Sequence, residues 1–376
     1  MLHNLIIENY RLFKYFEVAS LARVNLIVGT NNSGKSSLLE AIHLLTSDDV
    51  RSSLIYLLNE RGEYVSGTID PRLERGTRGG YQVSHIFHER LQKFGQVIRI
   101  FSNNNQSPNL KIALLESKDD HIPDPRQLSL LPDEDDVEIE IDEQLGYLIF
   151  EQSGFESETS RVSMPLEIDG LVFARPYSRT FLRRTPLSAG SSKLITTNYL
   201  GYDELAVLWD KITLTPKEDE VVEALKILEP DVNRISFTSS QTSNSGILLR
   251  LNGQEEPIPL GSMGDGMRRI LAIVASLVSV GKGTLLVDEI DTGLYYAVLK
   301  DMWRLILETA HKQNAQVFAT THSWDCVKAF QQALDEFQTS EFGRLIRLEK
   351  TDNQIKAVPY LADELTIAIE QDIEVR

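Results

Sequence analysis

The sequence predicts an α/β fold: a mainly parallel core sheet, an antiparallel β lobe, a short helical lobe and no long coiled coil. Three observations predict it. An Ile/Val-rich run, "VNLIV" (24–28), passes through a glycine loop directly into a helix-periodic segment. From residue 247 onward, strand-like and helix-like runs alternate, the rhythm of a parallel sheet with helices on its faces. Between 96 and 153 the apolar runs are strand-like and separated by polar stretches.

Taken in order, "LHNLIIENY" (2–10), the alternating "LFKYFEV" (12–18) and "VNLIV" read as strands. From about 50 to 165 the strand-like pieces are "QVIRIFS" (96–102), "LKIALLES" (110–117) and "YLIFEQS" (147–153). The stretch 118–143 is acidic and contains prolines, so it is expected to be an exposed, mobile loop. "DELAVLWDKI" (203–212) and "PKEDEVVEALKIL" (216–228) read as helices, the second with proline at its first position. There follow a strand at 247–251, a helix ending near 280, a strand at 284–287 and a helix from about 294 to 312. A strand at 316–320, another helix and a strand near 344–349 complete the pattern. No heptad array and no internal repeat is present. The expected organisation is a single head over 1–376: an N-terminal lobe (1–170) with a β-rich insertion, a helical segment (171–245) and a C-terminal lobe (246–376).

Composition narrows the function classes. With 42% hydrophobic and 25% charged residues, the 376-residue chain is an ordinary globular protein. Cys326 is its one cysteine, which excludes an internal disulfide and a cysteine-based zinc site and points to a reducing cytoplasm. The start lacks a signal-peptide pattern, and the longest apolar run, "ILAIVASLVSV" (270–280), is about half the ~20 residues needed to span a bilayer. No membrane partner is expected. The net charge of −17 repels nucleic acid at long range, so DNA binding would need a local basic surface. Two arginine groups have that composition: Arg72, Arg75, Arg78 and Arg90, then Arg175, Arg179, Arg183 and Arg184.

Four stretches carry chemistry. "GTNNSGKS" (29–36) satisfies G-x-x-x-x-G-K-[ST] between a strand and a helix. Gly29 and Gly34 let backbone N–H groups turn inward to phosphate oxygens, and the helix starting near Lys35 adds its positive end. Lys35 is placed to reach β- and γ-phosphates and the Ser36 hydroxyl to ligate Mg²⁺, so ATP and Mg²⁺ are the expected ligands. "TLLVDEID" (284–291) is an apolar strand ending in acids: Asp288 suits the metal shell and Glu289 suits orienting or deprotonating a water. "VFATTHS" (317–323) brings His322 to the C-terminal edge of a strand, where ligands sit in open α/β sheets, as a γ-phosphate sensor. "PLGSMGDGMRR" (259–269) is a glycine–serine loop before a strongly apolar helix. By itself it is either a helix start with Asp265 as N-cap or half of a phosphate site.

In this order the motifs resemble the ABC-type ATPase heads of the RecF and SMC group, and most of all the OLD-like ATPases. Their loop reads G-x-N-N-S-G-K-S-S and their signature S-x-G-D-G. The likeness covers residues 1–45 and 255–325. It implies nucleotide contacts along Gly29, Asn31, Asn32, Ser33, Gly34, Lys35, Ser36 and Ser37. It also implies a nucleotide-sandwiched homodimer in which Ser262, Gly264 and Gly266 of one copy cap the γ-phosphate held by the other. Asp291 occupies the place of the D-loop that crosses such an interface, and Arg11 matches an arginine these heads place near the nucleotide. The Q-loop residue is unassigned among Gln82, Gln96, Gln106 and Gln152. OLD nucleases carry a Toprim domain after the head, whereas roughly 50 residues follow His322 here. The expectation is an ATPase head in DNA repair or antiphage defence that couples nucleotide state to DNA processing or to a separate effector, a nuclease or toxin. A nucleotide-gated scaffold with little hydrolysis would use the same residues. The missing L-S-G-G-Q signature argues against a transporter ATPase, and the missing N-K-x-D against a GTPase.

Overall fold

The computed structural model describes residues 1–65, 80–90, 93–103, 107–116, 144–154, 159–167, 171–172, 192–197, 200–238, 246–337, 342–351, 354–371 and 373–375. The acidic stretch 118–143, Gln106 and every arginine of the two groups except Arg90 lie outside the described residues. The chain opens with β1 (Leu5–Tyr10), β2 (Phe13–Val18), β3 (Val24–Gly29), α1 (Lys35–Thr46) and α2 (Val50–Glu60). Next come β4 (Tyr64–Val65), β5 (Gly80–Gln82), β6 (Val97–Phe101), β7 (Asn109–Glu116), β8 (Gln144–Ser153), β9 (Ser160–Glu167), β10 (Leu171–Val172) and β11 (Ser192–Ile195). Helices α3 (Tyr202–Ile212) and α4 (Pro216–Leu225) lead to β12 (Val232–Thr238), β13 (Gly246–Leu251), β14 (Ile258–Pro259) and α5 (Asp265–Val280). The remainder is β15 (Thr284–Val287), α6 (Leu299–Gln313), β16 (Gln316–Thr320), α7 (Trp324–Phe337), β17 (Gly343–Lys350), β18 (Ile355–Tyr360) and α8 (Ala362–Glu370).

The chain divides into two units. The first comprises Met1–His3, Val18–Leu39 and Ala189–Arg376; the second comprises Asn4–Glu17 and Glu40–Ser188, so the division falls inside α1.

The first unit is built on a sheet of order β11-β15-β16-β3-β17-β18, parallel except for the antiparallel edge strand β18. Every residue of β3, β15 and β16 is buried, as expected of parallel strands covered on both faces. Two polar residues in these strands are satisfied rather than exposed. The Asn25 side chain accepts from Ala22 N and donates to the Ala22 and Val317 carbonyls. Gln316 accepts from Leu2 N and donates to the Leu2 and Ala22 carbonyls. Helix α5 is buried on nearly all sides, packing against α3, α4 and α6. Its apolar run supplies Ile270, Leu271, Ile273, Val274 and Leu277 to the core, each such side chain contributing about 1.5–3 kcal/mol of burial free energy. Helix α4 starts as its sequence predicts, with Thr215 Oγ1 accepting from Lys217 N and Pro216 at the first position. A three-stranded antiparallel sheet, β12-β13-β14, leads into α5. The stretch 171–245 therefore holds β10, β11 and β12 besides its two helices.

The second unit carries a sheet of order β2-β1-β6-β7-β8-β9, antiparallel from β1 through β9, and a small sheet β10-β5-β4. It also contains α2, where the sequence suggested only strands. Asp49 caps α2, accepting from Arg51 N and Ser52 N, and the short apolar run "LIYLL" forms its buried side. Among the described residues no helix is long and apolar enough to cross a membrane, and none exceeds the 16 residues of α5.

Candidate functional site

β3 ends at Gly29 and α1 begins at Lys35, so the glycine loop joins a buried strand to a helix N-terminus. Gly29 has φ 149, and a Cβ there would lie 2.7 Å from the Leu348 carbonyl oxygen and 2.8 Å from Ser33 Oγ. Only glycine keeps this cradle open. Asn31 and Asn32 are exposed, Asn32 in the left-handed conformation that asparagine tolerates (φ 60). Ser33, Gly34, Lys35 and Ser37 are buried. Ser33 Oγ has no hydrogen-bond partner among the described residues, at a cost of about 1–3 kcal/mol for a buried hydroxyl. Lys35 Nζ donates to the carbonyls of Gly29 (2.9 Å) and Thr30 (3.0 Å). Burial lowers the Lys35 pKa, opposed by the charges of Asp288 and Glu289. An orphan hydroxyl, an ammonium and a helix N-terminus around a glycine cradle are the donor set a phosphate group fits.

The C-terminal ends of β15, β16 and β3, neighbours in the sheet, bring the other residues to the same edge. Asp288 follows β15, and its N–H donates to the Ile195 carbonyl of β11 at 2.8 Å. Its carboxylate accepts from Ser36 Oγ at 2.7 Å and from Thr320 Oγ1 at 2.5 Å. A hydroxyl touching a carboxylate supplies the hard oxygen ligands that Mg²⁺ takes alongside water and phosphate oxygens.

Glu289 is left-handed (φ 48), a conformation costing a non-glycine residue about 1–3 kcal/mol. Both peptide planes flanking its Cα are held at both ends. Arg269 Nη2 donates to the carbonyls of Asp288 (2.6 Å) and Glu289 (2.8 Å). Thr320 accepts the Glu289 N–H at Oγ1 (2.8 Å) and the Ile290 N–H at its backbone carbonyl (2.9 Å). Arg269 is fully buried and also donates through Nη1 to the Thr196 carbonyl at 3.2 Å. Asp291 accepts from Thr321 Oγ1 at 2.6 Å, and the adjacent His322 is exposed.

The glycine–serine loop forms a single 3₁₀ turn, Leu260–Met263, and then α5. The structure differs from the sequence reading at Asp265. Gly264 (φ 89) occupies the N-cap and Asp265 is the first helical residue, so its carboxylate acts through the helix dipole and not as the cap. No side chain caps α5, and Ser262 and Gly264 are exposed. Gly266 is required by close approach: a Cβ there would lie 2.9 Å from the Gly293 carbonyl oxygen. The loop is thereby packed on the segment that follows Asp291.

Residues 24–325 match the family described as "AAA domain, putative AbiEii toxin, Type IV TA system". The chain belongs to this AAA-domain family. It is thus a nucleotide-binding domain of the ATPase type. A Helicobacter pylori protein named "ATP/GTP phosphatase" is 22% identical to it over 398 residues, covering 99% of both chains. Solved structures similar to it include two SMC head domains. One is the Smc head domain with an extended coiled coil bound to the C-terminal domain of ScpA, derived from Pyrococcus furiosus (12% identity, TM-score 0.49, 99% of each chain). The other is the SMC head domain from Thermotoga maritima (12% identity, TM-score 0.41, 96% of this chain and 98% of that one).

Elsewhere in the AAA-domain chain, Arg11 belongs to the second unit, where its guanidinium is buried between two acids. Nε lies 2.8 Å from Glu40 Oε2, and Nη1 and Nη2 donate to Glu63 at 2.7 and 3.3 Å. Of the described glutamines, Gln152 donates to the Ser47 carbonyl at 2.6 Å, just past the end of α1, and Gln96 accepts from Lys93 N. Two residues of the site were not read from the sequence. Thr320 lies inside the "VFATTHS" run, whose reading rests on His322 alone. Arg269 stands beside an apolar run whose other members are core, and a charge in such a helix is the signal that marks it.

Proposed function

We propose that this chain is the ATP-binding and ATP-hydrolysing head of a Mg²⁺-dependent homodimer. Its nucleotide state is proposed to control DNA processing or a separate effector protein. The observation that carries the reading is the 2.7 Å contact between Ser36 and Asp288, residues 252 apart in sequence. It joins a complete phosphate loop to the acid that ends a buried strand, the two halves that P-loop hydrolases need. The name of the Helicobacter pylori relative, "ATP/GTP phosphatase", supports nucleotide hydrolysis as the output.

In this reading the loop N–H groups, Ser33 Oγ and Lys35 hold the β- and γ-phosphates. Bound Mg²⁺, held by the Ser36 hydroxyl and the Asp288 carboxylate, supplies further neutralisation of phosphate charge. Glu289 orients a water and takes its proton as the water oxygen bonds to the γ-phosphorus and the bond to the β–γ bridging oxygen breaks. His322 faces the γ-phosphate. Ser262, Gly264, Gly266 and Asp291 of the second copy complete the site, the uncapped start of α5 supplying N–H donors.

Phosphate release from Mg-ATP tests the reading. Wild type should turn over, and Lys35→Ala and Glu289→Gln should each lose about 100-fold or more, with Glu289→Gln still binding ATP. Solution mass should double with ATP in Glu289→Gln and stay monomeric when Ser262→Arg is added. A wild type that binds ATP and doubles in mass without releasing phosphate is a nucleotide-gated scaffold instead.

A further inference from the structure

We infer that Arg269 is a positioning residue for Glu289, fixing the carboxylate's direction through the backbone and tying it to the glycine–serine loop. The inference rests on the reading of Glu289 as the residue that orients water. A side chain's direction is set first by the φ and ψ of its own residue, and those are set by the two adjoining peptide planes. At Glu289 both carbonyl ends of those planes are held by one atom, Arg269 Nη2, at 2.6 and 2.8 Å. Both N–H ends are held by one residue, Thr320. The left-handed φ of 48° needs such holding, since an unconstrained glutamate relaxes to negative φ.

The planar fork of arginine suits this task, because two N–H groups on one nitrogen diverge at a fixed angle toward two successive carbonyls. A lysine ammonium is a rotating point donor and lacks that fixed divergence. Placement adds a second consequence. Arg269 lies one turn into α5, whose first residue is Asp265, and Gly266 of the same turn packs on Gly293. Displacement of the 260–266 loop is therefore carried to the peptide planes of Glu289 through one helical turn and one rigid guanidinium.

The experiment compares Arg269→Lys and Arg269→Met with wild type and Glu289→Gln. Phosphate release, Mg-ATP affinity and thermal unfolding are measured for each. Arg269→Lys keeps the buried charge and serves as the folded variant if Arg269→Met unfolds. The expected result is a kcat about 100-fold lower, the scale of a misplaced reacting group, with Mg-ATP affinity within about twofold of wild type. In the Glu289→Gln background, measured by single turnover, the Arg269 substitution should cost no further rate, because two residues acting as one unit are non-additive. Unchanged kcat in a folded variant overturns the inference. So does a parallel loss of ATP affinity, which marks a merely structural role, or a full additional loss on top of Glu289→Gln. A wild type that never releases phosphate removes the hydrolysis reading and this inference together; an active wild type with active variants removes this inference alone.

Discussion

Replacing Thr320 with valine removes one hydroxyl and almost no volume. In the structure that hydroxyl makes two hydrogen bonds, accepting the Glu289 N–H at 2.8 Å and donating to Asp288 Oδ1 at 2.5 Å, from a side chain with no exposed surface. The first is a neutral hydrogen bond, worth about 1 kcal/mol net, and the second goes to a carboxylate, worth about 1.5–3 kcal/mol. Thr320→Val should therefore weaken the local structure around Asp288 and Glu289 by about 2.5–4 kcal/mol. In a chain of two compact units, whole-chain unfolding reports a local change only indirectly. Amide hydrogen exchange is local, and each 1.4 kcal/mol corresponds to a tenfold change. Exchange of the Glu289 and Ile290 amides should accelerate about 50-fold or more in Thr320→Val, while the second unit keeps wild-type protection. Thr320→Ser restores the hydroxyl and should recover most of the protection. If Thr320→Val exchanges like wild type across 288–290, the hydroxyl does not hold this segment, and the account of Glu289 geometry fails with it.

Three further outcomes are expected. Gly266→Ala forces a Cβ to within 2.9 Å of the Gly293 carbonyl oxygen, and the overpacking should cost about 1–3 kcal/mol, read as a lower midpoint for thermal unfolding. Arg11→Met strips one of two cations from buried Glu40, which keeps Arg61, and removes the cation beside half-buried Glu63; it should cost about 1–3 kcal/mol, whereas a residue needed only for nucleotide would leave unfolding unchanged. Burial lowers the Lys193 pKa, with Glu204 3.6 Å away opposing it. The unfolded chain then holds that proton more tightly, so wild-type stability should climb with pH between the lowered value and 10.5. Lys193→Met should flatten that rise in a series of unfolding midpoints.

What the sequence disclosed follows from how local each feature is. The phosphate loop places its donors within eight consecutive residues, so type and spacing suffice to read it. Asp288 and Glu289 are visible because they close an apolar run that cannot continue as a strand. Arg269 and Thr320 act on residues 19–20 and 31–32 positions away, and nothing near them in the chain states that pairing. β11 is four residues, "SKLI", without alternation; its strand character comes from pairing with β15. α2 was obscured because "LIYLL" satisfies both strand and helix templates, and its cap Asp49 is one of two adjacent aspartates. At Asp265 the residue with a capping side chain lost the cap to its neighbour, since Gly264 alone accommodates φ 89.

The two buried amides of the core sheet have an effect beyond satisfying themselves. The site is assembled from three strand ends, so it exists only if β3, β16 and β15 align correctly along their length. A one-residue slip shifts a strand by about 3.3 Å and turns its side chains to the opposite face. Runs such as "VNLIV" and "VFAT" are nearly uniform in hydrophobicity, and apolar packing alone distinguishes their alignments poorly. Asn25 reaches across to the Val317 carbonyl, and Gln316 spans from Leu2 to Ala22. In a slipped pairing both amides would be buried without these partners. They act as register pins between β3 and β16: Asn25 and Gln316, far down the strands from the phosphate loop, set where Thr320 stands relative to that loop.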